Sequence, residues 1–329
     1  MVTEEAGQWR WLVAKKGCLG CSFPVLIGVV ILLVLAVTGF LAGPIGQSVF
    51  KGLNLPDWIG VPRPHPELPA ETVFHILGFP VANSLIASWF TMIVLVAGSW
   101  AIMRRVSMVP GRLQAAFEYV VGGLYSFCQS VAGEEKGRRF FPVVSTIFLF
   151  VMFNAWLGLL PGFGSITAQS HGHVIHLLRP ANTDINTPLA LALVSFVFVL
   201  YFGLKDLRFK FLQQYFNLGP MFKAMGQLFT GKVKAGMGGL FTGFIMFFVS
   251  ILELLSMFIR IVSFTFRLFG NMTAGEILLL MVVFLVPWVF GVVFYGLELL
   301  VGFVQALIFA GLTLVFLTLA TTAHSGEGH

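Results

Sequence analysis

A chain of 329 residues that is 57% hydrophobic and only 10% charged, with a mean hydropathy of +0.92, lies outside the soluble globular range, where about a quarter of residues carry charge. It reads as an all-α polytopic membrane protein. The net charge of +6 does not point to nucleic acid, because the basic residues are gathered in short segments between apolar runs, the distribution that orients membrane proteins.

The first apolar run, 23–43, is long enough to cross ~30 Å of hydrocarbon. It follows Arg10, Lys15 and Lys16 but is longer than a signal-peptide core and precedes no A-x-A site, so it is expected as a retained helix entering from inside. Cys18-x-x-Cys21 lacks a second pair, and with Cys128 the cysteine count is odd; no disulfide framework follows. Residues 44–83, with Pro56, Pro62, Pro64, Pro66 and Pro69, form a turn-rich outer connector. A second span is expected at 84–103 and a third at 140–160. Between them, segment 111–132 carries apolar residues at helical spacing, with Arg112, Gln114, Glu118 and Gln129 interspersed. It is expected as an amphipathic helix on the inner surface, with a soluble helix packed in a loop as the alternative. The next outer loop holds His171, His173 and His176, whose spacing could bind a metal or respond to outer pH. No Glu base accompanies them as in H-E-x-x-H, and a solvated cluster is the plainer reading.

A fourth span is expected at 186–204, and a longer apolar region fills 239–320. Residues 239–285 contain no proline and as one helix would run roughly 70 Å at 1.5 Å per residue, so they must tilt strongly, bend or divide into two spans. A return helix follows from about 291 to 320. With 239–285 as one element the chain has about six membrane helices, including a long, strongly tilted pair near the C-terminus. Segments 1–22, 104–139 and 205–238 hold fifteen Lys and Arg, whereas 44–83 and 161–185 hold three. This positive-inside bias places the N-terminus on the cytoplasmic side, and six membrane helices then return the C-terminus to that side, although the tail has no Lys or Arg of its own.

Two cations, Arg260 and Arg267, remain inside the last apolar region with Glu253, Glu276 and Glu298. An Arg at the bilayer centre costs roughly 2.5–3.5 kcal/mol on insertion scales, so its partner has to be found. Spacings of seven put Glu253, Arg260 and Arg267 along one slowly drifting helix face. Nine residues separate Arg267 from Glu276; at about 100° each that is half a turn, which excludes a salt bridge within the helix. Arg267 must find its counter-charge on the return helix or on another protein, and Glu276 must face a wet cavity or a different partner. Ser263 and Asn271, one turn either side of Arg267, add polar groups to the cation's face. Gly270 and Gly275 permit close approach of another helix. On the return helix Glu298 and Gln305 share a face.

The run Arg267-Leu268-Phe269-Gly270-Asn271-Met272, followed by Ala274-Gly275-Glu276, resembles the signature of subunit a of F-type ATP synthases, and Gln305-Ala306-Leu307-Ile308-Phe309 resembles that family's last helix. Val109-Pro110-Gly111-Arg112-Leu113-Gln114, Asn154-Ala155-Trp156-Leu157-Gly158-Leu159-Leu160-Pro161 and Arg179-Pro180-Ala181-Asn182-Thr183-Asp184-Ile185-Asn186 are similar to its earlier segments in the same order. The resemblance covers 84–323. It leaves 1–83 as an N-terminal extension with one extra membrane helix and its outer loop, and 324–329 as a tail.

The resemblance implies a stator subunit beside a rotating ring of c subunits, each with a membrane carboxylate. It also implies b-type peripheral stalk subunits and the rest of the synthase as partners, a bacterial plasma membrane as location, and no cofactor, metal or catalytic site within the chain. Arg267 matches the family's essential arginine, which favours ionisation of the ring carboxylate and separates two offset proton half-channels. Asn271, Glu276 and Gln305 match residues associated with the arginine and the outer channel, and Glu253 matches one nearer the inner side. Glu298 stands where the family varies between His and acidic residues, as a proton relay; Ser263 joins the same path. A secondary ion-coupled transporter is the competing reading. No internal repeat supports it, and the intramembrane charges fall within the final third of the chain.

Overall fold

A computed structural model describes residues 23–49, 70–76, 78–104, 106–107, 110–160, 162–163, 166–170, 173–208, 211, 233–287 and 289–322. Six of its helices are long and apolar enough to cross a membrane. In lipid each backbone polar group must be satisfied within its own segment, and these long apolar runs do so as helices. The described residues fall into two compact units, one formed by the amino-terminal part with Gly275–Glu298, the other by Leu68–Ala274 and the chain from Leu299 onward.

In the smaller unit α1 (Phe23–Ala42) is followed after Gly43 by the short α2 (Pro44–Val49). Proline at the first position of α2 has no N–H to leave unsatisfied. The unit is completed by the end of α7 (Val233–Leu285) and the start of α8 (Val289–Thr321), a hairpin turning at Val286 and the buried Pro287.

The larger unit begins with a hairpin of β1 (Thr72–Ile76) and β2 (Phe79–Ala82), in which Phe74 pairs with Val81 and Gly78 takes φ 85° in the turn. The helix α3 (Asn83–Met103) follows directly. A second hairpin joins β3 (Thr167–Ser170) to β4 (His173–His176), with Thr167 opposite His176. Neither hairpin is visible as a membrane-length pattern; both are short pairings in segments expected as loops.

Segment 111–132 is the helix α4 (Arg112–Ala132). It buries Gln114, Leu124 and Cys128 and packs along α5 (Glu134–Gly158). Gly133 joins the two at φ 81°, a conformation that favours glycine, and a Cβ on Gly137 would lie 2.7 Å from the Cys128 carbonyl oxygen. Burial pushes the Cys128 thiol up to about 11. Cys18 and Cys21 lie outside the described residues.

The third span starts earlier than the apolar run, because α5 opens with Glu134 and Glu135, whose charges suit a helix N-terminus. Its N-terminal end is tied to other elements: Lys136 donates to the Thr321 carbonyl at 3.0 Å, and Arg139 pairs with Asp206 at 2.7 Å while stacking on Phe202. Asp206 belongs to α6 (Asn186–Leu207), the fourth expected span. The core of this unit is built on α5. Phe140, Val144, Phe148 and Val151 are almost fully buried against α6, against Phe264, Leu268 and Met272 of α7, and against Ala306, Ala310, Leu314 and Leu317 of α8. Small residues set the spacing: a Cβ on Gly302 would lie 2.9 Å from the Ala155 methyl.

Candidate functional site

The helix α7 presents two different faces in the larger unit. Its packed face carries Met257, Phe264, Leu268 and Met272, all buried. Phe264 meets Phe309 and Phe316 of α8 with ring centroids 4.9 Å and 5.7 Å away. Those contacts fix the rotation of the helix about its axis. As a result Ser263, Arg267 and Asn271 lie exposed along one strip, together with Phe266, Gly270 and Ala274.

Arg267 makes no hydrogen bond or ion pair among the described residues. Beside it, a Cβ built on Gly270 would meet nothing within 4 Å. A cation, a hydroxyl and an amide thus stand on an apolar surface next to a glycine notch, a surface shaped for close approach by another helix.

Toward the N-terminal side of α7, Glu253 and Arg260 are half-buried and neither is free. The Arg260 guanidinium sits 3.7 Å over the Phe316 ring, so part of its charge is already stabilised within the chain. Arg260 also borders an apolar cleft with Ala192, Ser195, Met257 and Phe264; Arg267 does not line it. On α8, Gln305 is buried between core residues.

In the smaller unit Glu298 is buried, and its carboxylate occupies the space that a Cβ on Gly275 would need. Glycine at 275 is therefore the berth for that carboxylate. Glu276, the next residue, is half-buried and engaged in an interaction of its own. Of the loop histidines, His173 and His176 are the end residues of β4, and His171 lies outside the described residues.

The family model described as ATP synthase A chain matches residues 85–318. The ATP synthase subunit a of Gloeobacter violaceus is 32% identical over 242 residues, covering 74% of this chain and 85% of that protein. That of Helicobacter pylori is 31% identical over 261 residues, covering 78% and 98%. The chain belongs to the ATP synthase subunit a family. It is an integral membrane subunit of the proton-translocating F0 sector. The elements α1 and α2 lie before the residues that the family model matches.

Two polar features of this subunit a were not singled out from sequence. Thr273, two residues beyond Asn271, is buried and its hydroxyl has no hydrogen-bond partner among the described residues. The second is a network on α3, α5 and residues 179–186, buried except at Asn186. Ser84 donates to Asp184 Oδ2 at 2.5 Å, and Asp184 Oδ1 accepts from the backbone and side-chain amides of Asn186. Asn154 donates to Thr91 and accepts from the Asn182 backbone N–H; Arg179 donates to Thr183. A signal was present: Ser84, Ser88 and Thr91 recur at helical spacing as a polar stripe on an apolar span.

Proposed function

We propose that this subunit a forms two offset proton half-channels leading to and from the carboxylates of a c-subunit ring, with Arg267 standing between them. The observation that carries the reading is the exposed strip on α7: Arg267 faces away from the packed core, flanked by Ser263 and Asn271, without an internal counter-charge among the described residues. An Arg placed in hydrocarbon at a cost of roughly 2.5–3.5 kcal/mol needs an anion. A ring carboxylate arriving from a neighbouring protein supplies one intermittently.

In this mechanism a ring carboxylic acid releases its proton into one half-channel. The resulting carboxylate passes Arg267 as an anion, held by a charge-assisted contact, and then takes a proton from the other half-channel. The fixed cation repels a proton that would cross directly between the two paths. With α7 entering from the inside, Glu253 belongs to the inner path, while Glu276, Glu298 and Gln305 belong to the outer one. The field does the work: moving one charge through 100 mV is worth about 2.3 kcal/mol. The chain carries no catalytic site for ATP chemistry and acts with the ring, with b-type stalk subunits and with the remaining synthase subunits in a bacterial plasma membrane, both termini cytoplasmic.

The test is Arg267→Gln in the reconstituted synthase. Assembly is expected to persist and proton-driven ATP synthesis to disappear. Normal synthesis by the variant would remove Arg267 from the mechanism.

A further inference from the structure

The amino-terminal extension has its own contact with the hairpin that bears two of the proposed outer-path carboxylates. At the bend between α1 and α2, a Cβ on Gly43 would overlap the carbonyl of Leu285 and lie 3.2 Å from Pro287 Cδ. Leu285 is the last residue of α7, and its carbonyl is among those left without an intrahelical partner at a helix C-terminus. Ala42 beside the bend is 1% exposed, and Pro287 is buried. A second glycine makes the bend possible: a Cβ on Gly46 would overlap the Phe40 carbonyl, so α2 folds tightly back over the end of α1. The rest of α1 is different. From Val25 to Val37 its large apolar side chains are mostly exposed, and a Cβ on Gly28 would meet nothing within 4 Å.

We infer that the extension is a brace for the outer half-channel: the Gly43 bend seats on the α7–α8 turn and holds together the two helix ends that carry Glu276 and Glu298. The consequence for proton transfer rests on the assignment of those carboxylates to the outer path. The mechanical part does not. Within this unit the hairpin's two strands of helix approach closely at two levels, where the Glu298 carboxylate fills the space over Gly275 and where Gly291 faces Val283 at 3.2 Å from a built Cβ. Both approaches require the helix ends to stay together, and the bend at Val286 and Pro287 lies between them. Gly43 is thus a positioning residue, acting on Glu276 and Glu298 through the turn.

The experiment compares Gly43→Val with Gly28→Val in the assembled synthase reconstituted into lipid vesicles. Amide hydrogen exchange at 282–290 reads the brace directly; protection there is expected to fall about tenfold in Gly43→Val and to stay unchanged in Gly28→Val. Proton flux from the outer side is expected to drop several-fold in Gly43→Val, with an altered dependence on outer pH. Unchanged exchange in Gly43→Val, or an equal change in Gly28→Val, would overturn the brace. Faster exchange with unaltered flux and pH profile would overturn its role in proton entry. A parallel Glu276→Gln variant separates the two ideas: if it slows flux while Gly43→Val leaves exchange untouched, the brace alone is wrong, and if it changes nothing, the half-channel assignment fails whatever Gly43 does.

Discussion

Around Asp184 and along the exposed strip of α7, polar groups occupy surroundings that are otherwise apolar, and the two regions differ in where their partners are. Asp184 is buried and accepts hydrogen bonds from Ser84 and Asn186; Asn154, Asn182 and Thr91 join in a connected network. Arg267 is exposed and has no such partner among the described residues. A polar group that costs free energy in an apolar medium is retained only when something satisfies it. Near Asp184 the chain itself does so, and the group serves to hold helices together. At Arg267 the proposed function has that satisfaction come from outside, from a carboxylate on a neighbouring protein.

The largest expected effect separates these roles. Arg267→Gln should abolish proton-driven synthesis while changing the unfolding free energy of the subunit by less than about 0.5 kcal/mol, as for an exposed surface side chain. Thermal melts and synthesis assays on the same preparation check both halves. A strongly destabilised variant would mean that Arg267 is a structural cation after all.

Asp184→Ala should do the reverse. It strands the buried Ser84 hydroxyl, while the exposed Asn186 keeps other partners within reach, and a buried unsatisfied group costs about 1–3 kcal/mol. Membrane hydrogen bonds average nearer 0.6 kcal/mol in double-mutant cycles, so the lower part of that range is expected. The readout is a lower melting temperature and less assembled subunit. If assembly stays normal and flux falls instead, the network belongs to the proton path and the comparison breaks.

A smaller functional change is expected at Glu276, which is half-buried and engaged rather than standing alone. Glu276→Gln keeps the volume and hydrogen-bonding capacity but removes the exchangeable carboxyl proton. Flux through the F0 sector should slow several-fold, most clearly when outer protons are scarce. An unchanged flux and pH profile would take Glu276 out of the path.

Local periodicity carried much of this structure, because each span is an unbroken apolar run. The isolation of Arg267 from Glu276 also followed from local geometry, since nine residues of helix fix their angular offset. Long-range pairings were not accessible in that way. Ser84 and Asp184 are 100 residues apart in sequence, and no periodicity says that one will meet the other. Gly43 likewise reads as an ordinary glycine after an apolar run until Leu285 is placed against it. The start of α5 was misplaced for a third reason: Glu134 to Arg139 are mostly charged yet helical, with Glu134 and Glu135 at the helix N-terminus, Arg139 paired to Asp206 and Lys136 donating to the Thr321 carbonyl.

The subtlest expected difference lies between two glycines, one in each kind of surrounding. A Cβ on Gly158 would meet Pro180 at 2.5 Å, beside the Asp184 network, whereas a Cβ on Gly270 would meet nothing within 4 Å. Within the subunit alone, Gly158→Ala should therefore destabilise, because the Pro180 ring has to move. Gly270→Ala should be neutral or stabilising by up to about 1 kcal/mol, since alanine is the better helix former. In the assembled synthase the expectation for Gly270 changes sign. If the strip bearing Arg267 is approached closely by ring helices, the added methyl lies in their path, and synthesis should fall although the isolated subunit is no less stable. Comparing melts of the subunit with synthesis rates of the complex resolves the matter. A Gly270→Ala variant that melts higher and turns over normally would mean that no helix comes close there, and Arg267 would then have to reach its carboxylate across a gap.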